Sequence, residues 1–328
     1  MARRKHMSVK EITLEALEPQ KFIDVQVKAV REAVGSATAI NALSGGVDSS
    51  VVTMLGHKAL GGRLKTYFIE NGLMREGEAE TIAGVFRGLG VPVEIVDARE
   101  KFFAALKGVI DPEEKREKGI TQVFYRDVFG ELVRKSGAKA LLQGTIYTDI
   151  EETAAGIKRQ HNVFEQIGID PEKAFGYKVI EPLIELRKPA VREVAKALGL
   201  PKEIVERPPL PGPALCARVI NEVTPEKIDI VRKATKIVEE ELCGSGAFQY
   251  MAILHDDMVT GIRDGRRDFG RQIEVRCWDS TDAVTGTPTE LPFATLRRIA
   301  DRITGEVPGV VSVTYNIATK PPSCLEAV

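Results

Sequence analysis

Leu43-Ser44-Gly45-Gly46-Val47-Asp48-Ser49-Ser50 decides the fold. An apolar run from Ala37 to Leu43, broken only by small polar residues, stops at a Ser-Gly-Gly turn, and Val47-Asp48-Ser49-Ser50-Val51-Val52 then opens a helix. Glycines let the backbone pass close to a bound anion, and Ser44, Ser49 and Ser50 add hydroxyl donors at the positive end of that helix. Asp48 is not there to attract phosphate. A carboxylate beside a phosphate cradle makes sense as a holder of Mg²⁺. The stretch is not a Walker loop, because the Lys-Ser/Thr ending and its spacing are absent.

Around this loop the first part of the chain alternates strand-like and helix-like stretches. Residues 37–43, 64–70, 91–96, 138–143 and 178–181 are short, apolar and often β-branched, while helical periodicity fills 50–59, 78–89, 124–136 and 188–198. Such alternation predicts an α/β fold, a parallel sheet with helices on both faces. Parallel sheets bind ligands beyond the carboxyl ends of their strands, where the loop at Ser44–Ser50 is expected.

The style changes after Leu200. Arg207-Pro208-Pro209-Leu210-Pro211-Gly212-Pro213 cannot be helix or central strand. Thr224-Pro225-Glu226 then caps and starts a helix running to about Leu242. Strand-like pieces at 247–254, 272–278 and 310–317 surround one helix at 293–304, which reads as a smaller α+β domain. Two domains are therefore expected in the 328 residues, 1–206 and 207–328. The mixed charges of Asp111–Lys118 read as a solvated helix start.

Charge and composition narrow the class. With 46 basic against 47 acidic residues, no global field speaks for nucleic acid. No apolar run approaches the ~20 residues of a membrane span, and no signal-peptide core follows Met1. The reading is a soluble, cytoplasmic protein. Cys216, Cys243, Cys277 and Cys324 are too few and scattered for a disulfide framework.

The loop resembles that of the PP-loop ATP pyrophosphatases, the adenine nucleotide alpha-hydrolase-like fold, which split ATP into AMP and pyrophosphate while adenylating an acceptor. Further segments resemble one family among them. These are Ile69-Glu70-Asn71-Gly72-Leu73-Met74-Arg75, Ala98-Arg99-Glu100-Lys101-Phe102, Gln143-Gly144-Thr145-Ile146-Tyr147-Thr148-Asp149, Ile157-Lys158-Arg159-Gln160-His161-Asn162-Val163, and Lys320-Pro321-Pro322 near the C-terminus. The chain is identified on them as a member of the GMP synthases, matching the ATP-pyrophosphatase part that many archaea make as a separate subunit.

The resemblance implies ATP and Mg²⁺, a xanthine-type nucleotide as acceptor, and ammonia as the group that displaces AMP. It implies an ATP site at Ser44–Ser50 (with Gly45, Gly46, Val47, Asp48 and Ser49 between), Ile69 and Gly144, with Asp48 and Asp149 as Mg²⁺ carboxylates. It implies lid cations Lys158 and His161. It implies acceptor contacts at Arg99, Pro211, Gly212, Pro213, Arg276, Lys320 and Glu326, and a C-terminal domain that forms a homodimer. Second readings stand beside these: Asp149 as a helix cap, Arg99 as a surface ion-pair partner, His161 as a packing histidine, Lys320 as a solvated lysine.

The sequence departs from the family on the acceptor side. Gln160 replaces a lid His, Phe164-Glu165 replace a Gly-Gly, and Cys324 stands where the family has Thr, exchanging a hydroxyl for a poorer thiol donor. No Gly-x-Cys-x-Gly nucleophile turn occurs, so ammonia is expected from a separate glutaminase subunit or from solution. Cys216, Cys277 and Cys324 fall in the altered stretches. They admit two readings: small apolar packing residues, or thiol or iron–sulfur ligands of a sulfur-inserting enzyme on the same scaffold.

Overall fold

The computed structural model describes residues 9–154, 177–208, 210–280, 285–324 and 326–327. They pack as two compact units. The first is drawn from Met1–Ile69, Ala79–Asp97 and Phe124–Arg207, the second from Glu70–Glu78, Ala98–Val123 and Pro208–Val328.

The first unit holds a five-stranded sheet: β1 (Ala39–Ala42), β2 (Leu64–Glu70), β3 (Val93–Asp97), β4 (Ala140–Leu142) and β5 (Lys178–Ile180), in the order β3-β2-β1-β4-β5. β1 runs parallel to both β2 and β4, and β4 parallel to β5. The order reverses between β1 and β4, so the loops leaving these two strands diverge and open a crevice. Ile40, Val51, Leu55, Phe68 and Val191 are almost wholly buried in the core between strands and helices. Helix Val47–Leu60 is buried over most of its length. It lies close to the sheet because Gly56 faces the strands: a Cβ there would sit 2.5 Å from Leu142 and 3.0 Å from Leu64.

The second unit is built on β6 (Gln249–Arg263), β7 (Arg266–Asp279), β8 (Thr287–Pro288) and β9 (Val310–Tyr315). β7 pairs antiparallel with β6 and β8, and parallel with β9. Helix Pro225–Leu242 starts as its sequence dictates, with Thr224 accepting from the Lys227 amide at 3.2 Å. β6 and β7 run well beyond the stretches 247–254 and 272–278 that apolar content marks. The extension mixes charged residues with the exposed Met258, Ile262 and Phe269, and its register is set by the two-residue turn Asp264-Gly265, with φ of 52° and 72°.

Side-chain bonds explain why residues 70–78 and 98–123 pack with the second unit. Arg232 donates to the carbonyls of Gly72 (2.7 Å) and Met74 (2.9 Å). Arg75 forms a forked pair with Glu239, and the Gly108 amide donates to Glu222 at 2.7 Å. The solvated reading of Asp111–Lys118 needs correcting at one residue. Asp111 does cap helix Pro112–Arg116, accepting from the Glu114 amide, but Lys115 is buried and donates to the Val219 carbonyl at 2.9 Å. Its charge is satisfied inside the protein, and burial holds its pKa below the usual lysine range.

Candidate active site

Ser44 to Ser50 leave the carboxyl end of β1 and enter helix Val47–Leu60 through a turn that needs glycine at Gly45, where φ is +79°. Ser49 closes the turn. Its hydroxyl donates to the Gly46 carbonyl (3.0 Å), accepts from the Ser44 amide (3.2 Å) and shares a hydrogen bond with the Ser44 hydroxyl (3.0 Å). Ser44 and Gly46 are exposed, whereas Gly45, Val47 and Ser50 are buried. The first amides of an α-helix have no intrahelical acceptor, so this turn presents donors and hydroxyls at the crevice.

The loop after β4 lies against the same turn. A Cβ on Gly144 would fall 3.4 Å from the Ser49 amide nitrogen and the Asp48 carbonyl carbon. A Cβ there would touch the turn, and glycine leaves that contact unmade. Asp48 contributes a carboxylate at the second position of the helix. Its Oδ2 pairs with Lys188, at the start of helix Lys188–Ala197, while the buried Oδ1 has no hydrogen-bond partner among the described residues. An orphaned, buried carboxylate oxygen is costly unless a ligand uses it. The site therefore fits a Mg²⁺–nucleotide: donors for phosphate oxygens, and a free carboxylate oxygen for the cation.

Asp149 follows on the same β4 side, 9% exposed, and its Oδ2 accepts from the Ile146 amide at 3.0 Å. One of its oxygens thus caps helix Tyr147–Ala154. Ile69 lies in β2, 5% exposed. Lys158 and His161 lie outside the described residues.

The residues expected to contact an acceptor sit in the second unit, in two groups. Arg99 begins helix Arg99–Leu106 and lies beside Gly72, whose hypothetical Cβ would come 3.1 Å from Arg99 Cγ. The Pro211–Pro213 segment reaches the same turn, with the Ala214 amide donating to the Pro211 carbonyl and the Leu215 amide to the Leu73 carbonyl (2.9 Å). The second group is the C-terminal segment. Arg276 donates to the carbonyls of Cys324 (2.8 Å) and Glu326 (3.3 Å), Gln249 donates to Glu326 Oε1 (2.8 Å), and the buried Arg218 lies 3.6 Å from Glu326 Oε2. Lys320 is tied through its backbone to Gly286 in both directions.

Of the two readings of Cys216, Cys277 and Cys324, the structure supports packing and gives no support to a cluster. Among the described residues no three His, Cys, Asp or Glu side chains are placed to hold a metal ion. Cys216 and Cys277 are each 1% exposed, whereas Cys324 is exposed. Burial pushes the Cys216 thiol up to about 11 and raises Cys277 as well, the reverse of what a ligating or nucleophilic thiolate needs.

Lys188 is the site residue that the sequence reading passed over as the first residue of an amphipathic helix. Its place after β5, and so beyond the carboxyl end of a strand in this sheet, is the signal that marks it.

A carboxylate in place of the Walker lysine beside an anion cradle suits enzymes that cut ATP between its α- and β-phosphates, the ATP-pyrophosphatase class. Comparison with known proteins narrows this. A model of the Asparagine synthase family matches residues 24–145, and one of the GMP synthase C terminal domain matches residues 236–327. A GMP synthase (glutamine-hydrolyzing) subunit of Archaeoglobus fulgidus is 50% identical over 310 residues, 94% of this chain and 99% of the relative. The corresponding subunits of Pyrococcus horikoshii (48%, covering 93% and 98%) and Methanothermobacter thermautotrophicus (44%, covering 94% and 99%) are similar throughout. The chain belongs to this family of GMP synthase subunits.

Proposed function

We propose that this chain catalyses the ATP-dependent amination of a xanthine-type nucleotide. A carbonyl oxygen of the base attacks the α-phosphorus of ATP, the bond to the β-phosphate breaks, and pyrophosphate leaves. Ammonia then adds to the activated carbon, AMP departs with the original oxygen, and a proton is lost from nitrogen. The observation that carries this reading is the phosphate cradle at the β1/β4 crevice, in a chain that aligns with a GMP synthase (glutamine-hydrolyzing) subunit over 94% of its length.

Attack on phosphorus needs alignment and charge neutralisation more than a protein nucleophile. The amides and hydroxyls of Ser44–Ser50 receive the leaving pyrophosphate, and Gly144 leaves room for it. Asp48, with Asp149 as a second carboxylate, would hold Mg²⁺, which supplies charge neutralisation for pyrophosphate. Lys188 orients Asp48 and adds a fixed cation at the cradle. Lys158 and His161 are assigned as further cations for the phosphates, and Ile69 to the nucleotide. Arg99, Pro211, Gly212, Pro213, Arg276, Lys320 and Glu326 are assigned to the acceptor.

The relatives are named as one subunit of a glutamine-hydrolyzing enzyme, so we assign ammonia supply to a separate glutaminase subunit. The assembly we propose is a cytoplasmic homodimer through the second unit. No helix among the described residues is long and apolar enough to cross a membrane. The test is pyrophosphate release from Mg²⁺–ATP with and without XMP and ammonium. Release that depends on XMP, with GMP appearing once ammonium is added, is the expected result; release indifferent to XMP, or none, sinks the proposal.

A further inference from the structure

Three polar side chains lie in the interior directly behind the cradle: Asn41 on β1 (1% exposed), Thr66 on β2 (4%) and Thr53 on helix Val47–Leu60 (0%). They are joined in series. Thr66 Oγ1 donates to Asn41 Oδ1 at 2.8 Å, and Asn41 Nδ2 donates to Thr53 Oγ1 at 2.7 Å. Thr53 Oγ1 in turn donates to the Ser49 carbonyl at 2.7 Å. Each hydroxyl and both ends of the amide have a partner, so the orientation of the amide is fixed by Thr66 on one side and Thr53 on the other.

Burying such a chain costs desolvation and ordering that three apolar residues of the same shape would avoid. Its far end explains its presence. Ser49 is the residue whose hydroxyl closes the anion turn on both Ser44 and Gly46. A threonine that back-bonds to the carbonyl four residues earlier adjusts the local pitch of a helix. Here Asn41 holds that threonine in one rotamer, and β2 holds Asn41.

We propose that Asn41, Thr53 and Thr66 are positioning residues for ATP: a buried relay that sets the first turn of helix Val47–Leu60, and with it the donors of the Ser44–Ser50 cradle, relative to the sheet. The inference rests on the ATP-pyrophosphatase reading above. None of the three touches the phosphates; they act through Ser49.

The test uses the full chain, binding of Mg²⁺–ATP and of pyrophosphate by calorimetry, and thermal unfolding of each variant. In the triple variant Asn41→Leu, Thr53→Val, Thr66→Val the polar groups of all three relay side chains are removed together at nearly constant shape, and the Ser49 carbonyl keeps its helical acceptor role, so the thermal midpoint should stay at or above that of the parent. Its affinity for both ligands should nevertheless fall about fivefold, the equivalent of one lost hydrogen bond. Thr53→Val alone should weaken both ligands similarly, and Thr53→Ser, which keeps the hydroxyl, should restore them to within about twofold. KM for ATP should rise while KM for the acceptor holds. If Thr53→Val or the triple variant binds Mg²⁺–ATP as tightly as the parent, whatever its midpoint, the relay is only structural and the proposal is overturned. A parent chain that binds neither ligand would overturn the ATP reading itself, and the relay with it.

Discussion

On the proposed function Asp48 is the residue on which the chemistry turns, because its two oxygens face different fates. Oδ2 is taken by Lys188, and Oδ1 is buried without a partner among the described residues. Asp48→Asn keeps the shape and an acceptor for Lys188 but removes the charge a cation needs. It should lower kcat/KM for ATP about 100-fold, an effect of the size seen when one charge-stabilising group is lost. The variant should also shift the Mg²⁺ dependence of turnover to higher concentrations. The cysteines make a second case at this scale. Cys216 and Cys277 are buried with thiols pushed upward, whereas Cys243 and Cys324 are exposed. Alkylation of the native chain at pH 7.5 to 8 should label Cys243 and Cys324 and spare the other two; mass mapping that finds Cys216 modified at a similar rate would contradict that burial.

Among the elements, the turn after β2 shows how backbone choice and site are linked. Gly72 has φ of +76°, and a Cβ there would lie 2.7 Å from Phe103 Cε2 and 3.1 Å from Arg99 Cγ. Gly72→Ala thus meets a left-handed backbone penalty of about 1–2 kcal/mol and must displace either the Phe103 ring or Arg99. It should lower the thermal midpoint by several degrees and raise the acceptor's KM, leaving ATP binding unchanged. What was legible in the sequence follows from how local each signal is. The strand, turn and helix around Ser44 announced themselves because apolar periodicity, glycine placement and hydroxyl spacing all fall within a dozen residues. The affiliation of residues 70–78 was not legible, because it rests on Arg75–Glu239 and Arg232–Gly72, pairs 164 and 160 residues apart in sequence. Asn41 looked like a small polar interruption in a strand. Its partners Thr53 and Thr66 are 12 and 25 residues away, and only the folded sheet brings them together.

For the molecule as a whole, charge buried in the second unit contributes to stability in acid. Glu274 on β7 would have its pKa raised by burial, but His255 (2.7 Å), Arg276 and Asn316 (2.8 Å) outweigh that and hold the carboxyl at about 2. These partners come from β6, from β7 itself and from the segment after β9, so the carboxylate ties three parts of one sheet. A folded pKa below the ordinary glutamate value of about 4.3 means that the stabilisation is complete above that pH and lost as pH falls from there towards 2. The carboxylate keeps some solvent contact, so its contribution is on the order of 2 kcal/mol. Trp278, the chain's single tryptophan, lies buried on the same strand and reports the unfolding of this unit by fluorescence. Urea midpoints read from it should be lower for Glu274→Gln than for the parent at pH 7, because the side chain loses its negative charge and one of the two oxygens that Arg276 and His255 use. The gap should narrow steadily between pH 4.5 and 2.5 as the parent's own carboxylate takes up its proton. A gap that stays constant across that range would mean that Glu274 acts through shape and not through charge.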